Sequence, residues 1–156
     1  IDIGSGDFNV SKHLVKNAKY YYACDIVKDL QDYNSTKYKY DNIEFLTLNA
    51  VEDILPEGDV LIIRQVLQHL SNEQINNLIN KCYKYRTWII TEHVPSSKIF
   101  IPNLDMMPGS GIRLLKKSGV VLTEDPFNVK YDLVNNICEL NQFGGVIRTS
   151  VYEKKL

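Results

Sequence analysis

Cysteine is scarce. Only Cys24, Cys82 and Cys138 occur among 156 residues, far apart and with no Cys-x-x-Cys pair. This argues against a disulfide framework and reads instead as small buried hydrophobes in a reducing, cytoplasmic setting. Long apolar runs are missing too: no stretch approaches the ~20 residues needed to cross a bilayer. No signal-peptide pattern and no low-complexity tract is found. Neither sign of charge prevails, with 18 basic against 19 acidic residues. The electrostatic footprint of a protein that binds nucleic acid or an anionic membrane is therefore lacking. Ten tyrosines, including Tyr20, Tyr21 and Tyr22, have no basic groove beside them. They suit strand packing better than base stacking.

What is present is an alternation of strand and helix signals over a length suited to one domain, residues 1–156. The chain opens at Ile1 already inside a strand, so we expect a fragment whose N-terminal segment is missing. Val10, Leu14, Val15 and Ala18 predict a first crossover helix. A second strand covers Tyr20 to Cys24, and the stretch around Asn34-Ser35-Thr36 reads as a polar connection. Ile43 to Leu48 predicts a third strand and Asp59 to Arg64 a fourth. Ser71 and Gln74 fit a capping box ahead of Ile75, Leu78, Ile79 and Cys82, a core-facing helical stripe. Thr87 to Thr91 predicts a fifth strand ending at Glu92-His93. Pro95 to Pro126 then holds four prolines and three glycines with little periodicity, a loop long enough to expect function in it. Two further strands, Lys130 to Cys138 and Val146 to Glu153, are joined through Asn141 to Gly145. This predicts a terminal antiparallel hairpin.

The chemistry-bearing signal is the opening Asp2-Ile3-Gly4-Ser5-Gly6, a strand end running into a glycine turn. Nineteen residues after Gly6, a second strand closes on Asp25. Bare N–H groups on a tight turn, beside an acid at the tip of the neighbouring strand, form the pattern by which an open α/β sheet holds a nucleoside. The acid accepts the ribose hydroxyls, and glycine allows a close backbone approach.

On these residues the chain resembles the class I S-adenosylmethionine-dependent methyltransferases from Ile1 to about Thr91. Asp2-x-Gly4-x-Gly6 is similar to their first motif, and Asn9 stands where a dinucleotide-binding dehydrogenase has its third glycine. Phe8 occupies the place of a further glycine found in many members. The resemblance implies a Rossmann-like three-layer α/β sandwich, with a mostly parallel sheet and a C-terminal antiparallel hairpin. It implies S-adenosyl-L-methionine as cofactor, bound at Asp2, Gly4 and Gly6, at Asp25 and its neighbour Ile26, at Asn49-Ala50 beside the adenine, and at Arg64-Gln65.

His69, five residues past the fourth strand, resembles a histidine of several small-molecule methyltransferases and suits a general base. The alternative is a histidine packed at the helix entrance. Glu92 and His93 stand where ligands collect at the carboxyl edge, and His93 is a candidate for orienting the acceptor. No compact spacing favours a metal site. Pro108 to Arg113 offers N–H groups and a guanidinium for a carboxylate or phosphate, unless Arg113 is simply solvated. Phe127 either lines the acceptor pocket or anchors the loop. Together these residues predict methyl transfer to a small polar or anionic acceptor, such as a sugar or metabolite precursor. The rival readings are an NAD-type oxidoreductase and a non-catalytic partner subunit.

Overall fold

The computed structural model describes residues 1–97 and 99–155. Its seven strands are β1 (Asp2–Ile3), β2 (Tyr21–Asp25), β3 (Ile43–Thr47), β4 (Val60–Arg64), β5 (Thr87–Pro95), β6 (Leu133–Gln142) and β7 (Gly145–Glu153). They form one sheet in the order β3-β2-β1-β4-β5-β7-β6. The first five strands are parallel, and β7 inserts antiparallel between β5 and β6. The hairpin expected from the glycine pair at Gly144-Gly145 thus places the last strand inside the sheet. The chain reverses there with positive φ at Phe143 and Gly144.

Each face of the sheet carries its own core. Helix α2 (Asn72–Cys82) buries Ile75, Leu78, Ile79 and Cys82 against Ile3, Leu61, Ile63 and Trp88. Ser71 caps it reciprocally with Gln74, satisfying two N-terminal donors. Val120, Leu122, Phe127 and Val129, from the long connection after β5, join the same cluster. On the other face Phe8, Val15, Tyr21 and Ala23 pack with Phe45 and Ile62.

β6 runs Leu133–Gln142 in place of Lys130 to Cys138, and three further elements differ from expectation. Residues 10–18 form two 3-10 turns, Ser11–His13 and Val15–Asn17, in place of a crossover helix. Only Val15 of the apolar set is buried, while Val10 and Leu14 face solvent. No continuous stripe exists to hold an α-helix. Conversely, the supposed polar connection is helix α1 (Lys28–Lys37). Its inner face is polar, with Gln31 and Asn34 buried, so apolar periodicity does not reveal it. Strand β5 runs four residues past Thr91. Glu92 and His93 therefore lie within the sheet, opposite Arg148 and Ile147 of β7.

Candidate functional site

Parallel pairing brings the carboxyl ends of β1 to β4 to a common rim, with the strand order reversing between β1 and β4. A crevice opens at such a reversal because successive connections leave toward opposite sides. At the end of β1, the N–H groups of Gly4 and Ser5 both donate to Cys24 O, at 2.8 and 3.0 Å. This wraps the turn over β2. Gly4 (φ +73°) has Val66 packed so closely that a Cβ would collide with its Cγ2. Gly6 (φ +56°) is different: an added Cβ would meet nothing nearer than Gly4 O at 4.0 Å. The space above the turn is open.

Asp25 ends β2 half-exposed. One carboxylate oxygen accepts from Gly6 N and the other from Val27 N, each at 3.0 Å. A carboxylate has about four lone-pair directions, so each oxygen keeps one for a ligand. The adjoining Ile26 is exposed at the rim. Leu48 N donates to Asp25 O at 2.9 Å, joining the end of β3 to that of β2. Asn49 Oδ1 accepts from Val51 N at 3.1 Å, and Asn49 N donates to Asp53 at 2.8 Å. These bonds hold Asn49 and the half-buried Ala50 in a tight turn. Gln65, just past β4, adopts φ +55°, and its N–H donates to Thr91 O at 2.7 Å. This left-handed conformation, costly for a non-glycine residue, turns the chain so that Val66 packs across Gly4. Arg64 lies half-buried at the end of β4, where its charge opposes the effect of burial on Asp2.

Asp2 does not reach the crevice. It is buried beneath the turn and accepts from the Tyr21 hydroxyl at 3.0 Å. Burial raises its pKa, opposed first by a hydrogen bond from Ser11. Phe8 shows why a glycine is dispensable at its position. Its backbone takes the left-handed conformation (φ 62°). Its ring points inward, 5.0 Å from Phe45, 5.2 Å from Tyr38 and 5.9 Å from Tyr21. Burial of the ring offsets the backbone strain and leaves the crevice clear.

Two residues that sequence patterns do not reveal brace this half. Gln31 donates to Ala23 O (2.9 Å) and Leu46 O (3.1 Å), and Asn34 donates to Gly6 O at 2.7 Å. The only trace in the sequence is polar residues at helical spacing on a face that should be apolar.

Beyond β4, Leu67–His69 forms a 3-10 turn. His69 Nδ1 lies 3.2 Å from Gly109 O and 3.1 Å from Gly111 O. Both partners can only accept, so in the neutral ring Nδ1 carries the proton and Nε2 keeps the lone pair. Nε2 is 3.4 Å from the Gln68 side-chain nitrogen. His69 is therefore half-buried against the long loop, on the rim next to Gln65.

The other three candidates are not brought to this rim. His93 is buried within the sheet, its Nε2 3.0 Å from Gln142 O under the terminal hairpin. The longer β5 explains this displacement. Arg113 is not a solvent-facing anion trap: it is fully buried and donates to Leu104 O, Leu67 O and Asn72 Oδ1. Phe127 sits in the α2-side core, which leaves it the role of loop anchor. Glu92 is also buried, accepting from Leu67 N and Gln68 N at 2.9 and 3.0 Å. Burial pushes its carboxyl up to about 8, against the pull of those N–H groups and of Arg113. Among the described residues, no group of three His, Cys, Asp or Glu side chains is placed to hold a metal.

No protein-family model matches the chain, and no curated protein matches it. Solved structures do. Human N-acetylserotonin methyltransferase in complex with S-adenosylmethionine superposes with a TM-score of 0.66 at 13% identity, over 99% of this chain and 47% of that one. The DhpI complex with S-adenosylhomocysteine gives 0.61 at 10% identity, over 98% and 75%. An S-adenosylmethionine-dependent methyltransferase from Mesorhizobium loti gives 0.54 at 13% identity, over 60% and 45%. The chain thus spans less than half the length of the human and Mesorhizobium proteins. At these identities the likeness is one of fold: the chain has the Rossmann-like fold of the class I S-adenosylmethionine-dependent methyltransferases.

Proposed function

We propose that this domain binds S-adenosyl-L-methionine in the crevice between the Gly4–Gly6 turn and Asp25, and transfers its methyl group to a small polar or anionic molecule in the cytoplasm. One observation carries the reading: Asp25 is clamped by two backbone N–H groups, with a lone pair of each oxygen left over beside an open glycine turn. That arrangement suits a ribose diol, and Asn49-Ala50 on the adjacent strand end suits the adenine. Gln65 and Arg64 stand where the methionyl end would be held. The neighbours whose complexes contain this cofactor or its demethylated product support the same choice.

S-adenosylmethionine, when bound, supplies a methyl group on a positively charged sulfur that is already a good leaving group. The chain's task is then alignment and exclusion of water. Where the acceptor carries a proton, as a hydroxyl or an amine does, His69 Nε2 takes it when the acceptor displaces the Gln68 side-chain N–H that faces this lone pair at 3.4 Å. Its ring is held in that tautomer by Gly109 and Gly111. A carboxylate acceptor would not need His69.

Calorimetric titration with S-adenosylhomocysteine and with NADH tests the assignment. The domain should bind the first and not the second, and Asp25→Ala should weaken that binding by about one to two decades. Equal affinity of Asp25→Ala and parent would sink the proposal.

A further inference from the structure

The groups that surround the Leu67–His69 turn have no counterpart on the adenosyl side. Glu92, from within β5, accepts the N–H groups of Leu67 and Gln68 on its two oxygens. From the opposite side, Arg113 donates through Nη1 to Leu67 O at 2.9 Å. The same guanidinium donates through Nε to Leu104 O at 3.1 Å and through Nη2 to Asn72 Oδ1 at 2.8 Å. Asn72 is in turn held by the loop: its N–H donates to Asp105 and its side chain to Asn103 O, both at 2.8 Å. Gly109 and Gly111, whose carbonyls meet His69 Nδ1, lie only a few residues before Arg113.

We propose that Glu92 and Arg113 are positioning residues for His69, clasping the turn that carries its ring and the loop that sets its tautomer into one rigid unit. The role rests on the reading of His69 as a base, but the clasp itself is testable without any acceptor. The two side chains form no direct ion pair among the described residues. Each is spent mainly on backbone groups of the turn and the loop. Burying a guanidinium and a carboxyl is costly unless each is hydrogen-bonded, and here the bonds converge on one short segment. A turn held on both its N–H and C=O sides keeps the Cα of His69 at a fixed distance from the loop, so its ring stays within reach of the Gly109 and Gly111 carbonyls. The ring then stays as an Nδ1–H donor with a fixed Nε2 lone pair, the state a general base requires.

The test is 15N-edited NMR of the imidazole of His69 in the full chain, with S-adenosylhomocysteine calorimetry alongside. In the parent His69 should be almost wholly the Nδ1–H tautomer. Arg113→Lys cannot span three acceptors, and Glu92→Gln cannot accept from both N–H groups. In each, the ratio of Nδ1–H to Nε2–H should fall at least threefold, while affinity for S-adenosylhomocysteine stays within a factor of two. Gly111→Ala, which keeps the carbonyl and the clasp, should leave the ratio unchanged. Should Arg113→Lys fold poorly, Asn72→Ala reads the same effect, because it removes one of the three acceptors and leaves the guanidinium in place. Unaltered His69 signals in both Glu92→Gln and the arginine-side variant would overturn the proposal. Failure of the parent to bind S-adenosylhomocysteine would instead overturn the cofactor assignment, leaving the tautomer result to stand by itself.

Discussion

The two halves of the rim are built by different means. Around the glycine turn, Gly4 N and Ser5 N are satisfied by the end of β2, Gly6 by the side chains of Asp25 and Asn34, and Asp25 keeps its solvent-facing lone pairs. Around His69, two fully enclosed ionisable side chains reach in from distant parts of the chain to hold a single turn. The first half is a local device of parallel strand ends in register, braced by the Gln31 and Asn34 amides of α1. The second depends on a long connection folding back over α2 and on β5 continuing past Thr91 to Pro95. A ligand site resting on strand ends tolerates change around it, whereas a clasp of buried ionisable groups does not.

Removing the largest supports should separate the halves most clearly. Arg113→Ala strands several buried acceptors beside Glu92 and should cost about 3–5 kcal/mol in urea denaturation. Binding of S-adenosylhomocysteine should suffer little. Phe8→Ala should cost a similar ~3–5 kcal/mol by emptying the aromatic cluster. That change should also weaken binding, because the turn above loses its floor. If both variants harm binding alike, the halves are not independent.

Next in size is a pH effect confined to the histidine half. The folded-state pKa of Glu92 is raised to about 8, above the ordinary carboxyl value. Its protonated form is therefore favoured by folding. The associated stability is fully present below the unfolded pKa and is lost as pH rises toward 8. Between pH 5 and pH 8 the parent should lose about 2–4 kcal/mol relative to Glu92→Gln. Parallel stability profiles for the two proteins would show that the carboxyl is not enclosed as described.

Asp25→Ala sharpens the contrast from the other side. Cofactor-product affinity should drop roughly 10- to 100-fold, with stability changed by no more than about 1–2 kcal/mol, since two partly exposed N–H groups lose their acceptor. The smallest effect is expected at Leu115, which is 83% exposed in the long loop. Leu115→Ser should shift stability by less than about 0.5 kcal/mol. A larger loss would mean that the loop is covered in solution.

Much of this molecule was legible beforehand, and the gaps have particular causes. The strands, the Ser71 cap and the α2 stripe follow short-range patterns of burial and hydrogen bonding, and all were visible. Helix α1 was missed because Gln31 and Asn34 replace the apolar side chains that periodicity detects. Local sequence puts Glu92 and His93 at the rim because nothing in it announces that β5 continues to Pro95. Its extension is stabilised by β7, more than fifty residues away. Arg113 was weighed as a ligand for an anion because a sequence does not tell whether a guanidinium meets solvent or carbonyls.

The order of residues alone determined a parallel α/β sheet, the glycine turn and the acid that faces it, since each depends on contacts between neighbours or on alternation along a strand. Only the folded chain decided that Phe8 turns inward, that the helix at 28–37 braces the turn with amides, and that His69 is held through Glu92 and Arg113. Those outcomes depend on which buried polar groups find partners across long separations. That choice is made by three-dimensional packing, where an unpaired donor or charge is expensive.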